Sequence, residues 1–70
     1  MRLIEILDIL TPETHIIIDI DDKKMYEGTA ENLPYGIMKV CNQRNIYAVE
    51  NTSIGAKAIM IIYLGSIFLS

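Results

Sequence analysis

The 70-residue sequence predicts a small α+β fold. Its core element is an antiparallel sheet of about four strands, built as two hairpins, with an N-terminal helix and a short central helix in the order α-β-β-α-β-β. Three observations predict this. Positions 3–10 carry Leu3, Ile4, Ile6, Leu7, Ile9 and Leu10, while Arg2, Glu5 and Asp8 recur every third residue, which is helical spacing. Two β-rich segments flank the polar quartet Asp21-Asp22-Lys23-Lys24, which is hairpin spacing. A second such pair flanks Asn51-Thr52-Ser53-Ile54-Gly55 after a Leu33-Pro34 break.

Taken in order, the first helix covers residues 3–10 and stops at Thr11-Pro12, because a residue before proline is pushed out of helical geometry. Its apolar arc is wide for a surface helix. Residues 14–20 form the first strand, with Ile16, Ile18 and Ile20 on one face and Ile17 and Asp19 on the other. The return strand covers residues 25–29, with either Met25 or Tyr26 facing the core according to loop length. Asn32 and Pro34 begin a second helix that carries Tyr35, Ile37, Met38, Val40 and Cys41 and leaves through Asn42-Gln43. Gly36 weakens it by about 1 kcal/mol relative to alanine. A third strand spans residues 45–50, with Tyr47 and Val49 on one face. The fourth spans residues 56–64. The domain is thus residues 1–64, followed by an apolar tail at residues 65–70.

The fourth strand does not alternate. Ile59, Met60, Ile61, Ile62, Tyr63 and Leu64 contain no charged residue, so both faces of the strand need cover. A 70-residue domain buries only about 60 % of its unfolded surface. Small folds often add disulfides or a metal, but a single cysteine and a single histidine supply neither an internal disulfide nor a zinc set. Oligomerisation is the remaining common remedy. The six residues of this run, together with Ile4 and Ile9 of the wide helical arc, are the expected interface. The expected partner is a second copy of the chain.

The composition excludes several functions. Six basic residues are scattered and the net charge is −3, which argues against a phosphate-tracking basic face and so against nucleic-acid binding. The opening segment carries Glu5 and Asp8 where a secretory signal needs an apolar core, so the cytoplasm is the expected compartment. A twelve-residue apolar run broken by Gly65-Ser66 is shorter than the roughly 20 residues of a spanning helix, leaving membrane association as a minor alternative. Asp19, Asp21 and Asp22 are the one carboxylate cluster, but Asp19 and Asp21 fall about 7 Å apart on a strand, too far for a tight shared cation. His15 and Asp19 lie about 13 Å apart on the same strand and cannot form an acid–base pair. Cys41 reads as a small buried hydrophobe near a helix end that disfavours the thiolate. Tyr26, Tyr35, Tyr47 and Tyr63 lack the interleaved basic residues of a base-stacking surface and suit core edges or an interface. Asn51-Thr52-Ser53 matches the glycosylation pattern by chance. No catalytic, cofactor or metal residues are expected, and the chain is expected not to be an enzyme.

Leu3-Ile4-Glu5-Ile6-Leu7, Pro12, Ile16-Ile17-Ile18-Asp19, Gly28, Leu33-Pro34, Ile46 and Ile59-Met60-Ile61 together resemble small uncharacterised phage and prophage proteins of Firmicutes and related gut bacteria. The resemblance covers the chain up to about residue 64. It implies a short helix, a hairpin, a Leu-Pro turn into a second helix and a final hairpin, and no catalytic residues. The leading expectation is a non-enzymatic self-associating protein, an accessory factor of a mobile element. The alternative is an acidic binding module, an inhibitor or regulator, docking on a host or phage protein.

Overall fold

A computed structural model describes residues 2–67, and of residues 66 and 67 the backbone only. The order is α1 (Leu3–Leu7), β1 (His15–Ile20), β2 (Lys23–Thr29), a 3-10 turn (Ala30–Asn32), α2 (Tyr35–Cys41), β3 (Arg44–Ile54) and β4 (Lys57–Ile67). The fold is α+β, with the four strands in one sheet in the order β2-β1-β4-β3.

Each hairpin is antiparallel, but the sheet is mixed, because β1 and β4 pair in parallel from His15↔Ile59 to Ile20↔Leu64. This corrects the purely antiparallel expectation, and the cause is visible in the residues. The two central strands are the two that fail to alternate, Ile16-Ile17-Ile18 and Ile59 to Leu64. Strands flanked on both edges and needing apolar surroundings on both faces read as continuous apolar runs. The more polar partners, β2 and β3, take the edges.

The core lies on one face of the sheet. Ile16, Ile18 and Ile20 of β1 and Ile62 and Leu64 of β4 pack with Leu3 and Ile6 of α1 and Cys41 of α2. Both helices therefore cover the same face. α1 is shorter than its apolar pattern predicts. After Asp8 N–H bonds the Ile4 carbonyl, Ile9 and Leu10 donate to Ile6 and Leu7, three residues back. The last turn has tightened from α to 3-10 geometry on the approach to Thr11-Pro12. At its start, the Arg2 N–H donates to Glu5 Oε1 at 2.8 Å, half of a capping box. Asn42, at the end of α2, accepts from the Ile4 N–H at 3.4 Å and ties the helices together. Pro34, not Asn32, precedes α2, since residues 30–32 form their own 3-10 turn.

Both hairpin loops have two residues. Asp21 and Asp22 have φ of 50° and 67°, the left-handed pair that a tight twisted hairpin demands. Aspartate tolerates this region better than most residues, though less well than glycine. The short loop puts Tyr26 opposite Ile18, and a register shift between Ile18 and Asp19 absorbs Met25. Tyr26 is thus the residue on the core face, and its hydroxyl donates to the Thr29 carbonyl at 2.7 Å. Asp22→Gly should stabilise the fold by about 0.5–1 kcal/mol, because the left-handed penalty at this position exceeds glycine's entropic one. Thermal unfolding should show a rise of a few degrees, about 4 °C for a domain of this size.

The second loop is Gly55-Ala56, with Gly55 at φ +64°. Residues 51–54, expected as loop, extend β3 instead, because a glycine at the first loop position lets the hairpin close two residues from Ile54. β4 likewise continues past Leu64 to Ile67, so the strand includes the start of the expected tail; residues 68–70 of that tail lie outside the described residues.

Candidate interaction surface

The sheet has a second face, and among the described residues no helix covers it. Alternation along β1 buries the even positions in the core and leaves His15, Ile17 and Asp19 on this other face. The parallel register aligns them with Ile59, Ile61 and Tyr63. The antiparallel register adds Thr52, Glu50 and Ala48 of β3 beside the same three residues. From β2, Glu27 and Lys24 stand beside Ile17 and Asp19. Ile59 is only 3 % exposed yet is not a member of the helix-side core.

The surface has an apolar centre and a polar margin. Ile17, Ile59, Ile61 and Tyr63 form a continuous stripe across the two central strands. The Tyr47 ring lies 6.2 Å from that of Tyr63, tilted by 34°, and lengthens the stripe. Alternation alone groups Tyr47 with Val49. A bulge between Ile46 and Ala48 turns Tyr47 to the opposite face, where its ring closes over Gly65; a Cβ at Gly65 would stand 3.2 Å from it. Along the β2 margin, Lys24 Nζ pairs with Glu27 Oε1 at 2.7 Å. The hydrogen bond from Lys24 holds the Glu27 carboxyl below its ordinary range and raises the lysine in return. Burial, with the Glu50 and Asp19 carboxylates nearby, pushes the Tyr63 hydroxyl up. Asp19 Oδ1 is buried and makes no hydrogen bond within the chain.

The expected interface residues divide between the two faces. Ile59, Ile61 and Tyr63 lie on the helix-free face. Met60, Ile62 and Leu64 belong to or border the helix-side core. Ile9 is 81 % exposed beyond α1. Ile4, 40 % exposed, lines a groove of about 290 Å³ between the helices with Arg2, Tyr35, Met38 and Lys39. Sequence reasoning left out Ile17, whose signal was present in the unbroken Ile16-Ile17-Ile18. It also left out Asp19 and Glu50 as margin residues, which only strand pairing reveals.

The residues tested for chemistry stay apart. His15 and Asp19 share the open face at opposite ends of β1, and Cys41 lies on the other side of the sheet. Among the described residues no three His, Cys, Asp or Glu side chains are grouped to hold a metal ion. No helix of the described residues is long and apolar enough to cross a membrane. Cys41 is fully buried, and burial pushes its thiol up, partly offset by Arg44. In the native protein it should react with Ellman's reagent only as fast as the fold opens, and at once in denaturant. Since a thiol raised in the fold favours the neutral form, its contribution is intact below pH 9.0 and is lost as the pH rises further. Tyr63 acts in the same direction. Urea midpoints should therefore fall at alkaline pH, and less steeply in Cys41→Val.

No family model matches the chain, no curated protein matches it, and no solved structure matches it.

Proposed function

We propose that this is a non-enzymatic, self-associating protein whose helix-free sheet face is covered by a second copy of the chain. The observation that carries this reading is the stripe of Ile17, Ile59, Ile61 and Tyr63 on a face to which neither helix contributes. Two such sheets pack face to face about 10 Å apart, with their apolar side chains interleaved. A two-fold arrangement lets one patch serve both partners. An apolar centre with Lys24, Glu27 and Glu50 at its margin has the layout of an interface core and rim.

An accessory role in a mobile element fits this reading, since it requires assembly and no chemistry. Sedimentation equilibrium at micromolar concentration tests it. The expected mass is twice the 7.9 kDa of the chain, or a higher multiple. A cooperatively folded monomer up to the solubility limit would overturn the proposal.

A further inference from the structure

The sheet order leaves two edges, β2 and β3, and the chain treats them differently. An exposed edge presents unpaired N–H and C=O groups, and proteins that avoid edge pairing blunt it with lysine, proline, bulges or short strands. β2 carries these devices. It has seven residues, begins with Lys23-Lys24, shifts register beside Met25 and includes Gly28. β3 carries almost none. It has eleven residues, no lysine and no proline, and Glu50 is the only charge between Asn45 and Ile54. Its irregularities are confined to residues 44–48, so that Ala48 to Ile54 run in unbroken register with β4. All seven of those residues are exposed, Ile54 at 65 %.

We propose that β3 is a second contact between copies of this chain, its outer edge pairing antiparallel with β3 of another copy about a two-fold axis at Asn51. Asn51 is the midpoint of the regular stretch, so this axis pairs its whole length. Ala48 then stands opposite Ile54 of the second copy, Val49 opposite Ser53, and Glu50 opposite Thr52. The only charge in the stretch meets a neutral hydroxyl, and no like charges face each other, which cross-strand pairing requires. Exposed Ile54 gains an apolar neighbour. This self-complementarity favours a second copy over an unrelated extended peptide. The axis stands perpendicular to the sheet, so two four-stranded sheets become one of eight with both helix-free faces on the same side. The contact uses none of the stripe residues and goes beyond face packing. Together the two contacts close a four-chain assembly.

Cysteine cross-linking tests it in the full chain. Asn51→Cys should form a covalent dimer under diamide as the majority species on a non-reducing gel, because the two thiols face each other across the axis. Buried Cys41 does not compete. Ser53→Cys, which faces Val49 of the second copy, and Glu27→Cys, on the other edge, should stay mostly monomeric. Monomeric Asn51→Cys, or equal cross-linking of all three variants, would overturn the edge contact. The Asn51→Cys cross-link should also persist in an Ile61→Lys background. Associated protein without it rules out the edge and leaves face packing standing; a cross-link in protein whose association Ile61→Lys does not weaken rules out face packing and leaves the edge standing.

Discussion

Replacing Ile62 with alanine is expected to remove about 3–5 kcal/mol of stability, the largest effect of any single truncation proposed for this chain. Ile62 is 0 % exposed and sits on one of the two central strands, with Ile18 on one side and Val49 on the other. Its core face meets both helices' contributions, Leu3, Ile6 and Cys41. Alanine there leaves a cavity that two paired strands cannot close by shifting. A domain of 70 residues has a total stability of only about 4–10 kcal/mol. The variant should therefore unfold at much lower urea, or be partly unfolded without it. Ile62→Val removes one methylene and should lose about 0.5–1.5 kcal/mol. Urea titration followed by circular dichroism, at one fixed protomer concentration, measures both. Equal midpoints for the alanine variant and the parent would show that Ile62 is not in the core.

Ile61→Lys, one residue earlier, is expected to do something different. Its side chain lies on the helix-free face at the middle of the stripe, opposite Glu50 on β3 and Ile17 on β1. Lysine can lift its ammonium to water in the isolated chain, so the fold should lose little. Under a second sheet it cannot. The substitution removes an apolar anchor near the interface centre and buries a charge from each copy, an effect of about 2–4 kcal/mol on association. The dissociation constant should rise by about thirty- to a thousandfold. Sedimentation of the variant should show face-packed species dissociating, with circular dichroism unchanged. If Ile61→Lys assembles as tightly as the parent, the stripe is not the interface.

The contrast between these neighbours shows how much of the molecule could be read from residues alone. The element order, both hairpins and the unusual status of Ile59 to Leu64 followed from period and composition. The pairing of that run with Ile16-Ile17-Ile18 did not, because residues 15 and 59 are brought together by tertiary packing that leaves no local signature. Hairpin registers also escaped. Asp21-Asp22 closes a two-residue loop only because aspartate accepts positive φ, an option the sequence permits but does not require. The surface was half legible. A non-alternating strand shows that two faces need cover, but not which side chains share each face. Tyr47 shows the limit most clearly: a single bulged residue reversed its face.

The parallel join also governs how the chain can acquire its structure. Each hairpin needs only local contacts and can form within about 1–10 μs, but neither encloses a core alone. The β1 isoleucines gain their β4 neighbours, which complete their cover, only when that strand arrives, more than forty residues later in the sequence. Folding should therefore wait on this distant closure and be slow for so small a domain. On the ribosome, the helix and first hairpin must emerge with Ile16, Ile18 and Ile20 covered at most by Leu3 and Ile6 of α1, and the cover stays partial until the last strand is made. The early half of the chain is thus the segment most exposed to chaperones and to premature aggregation.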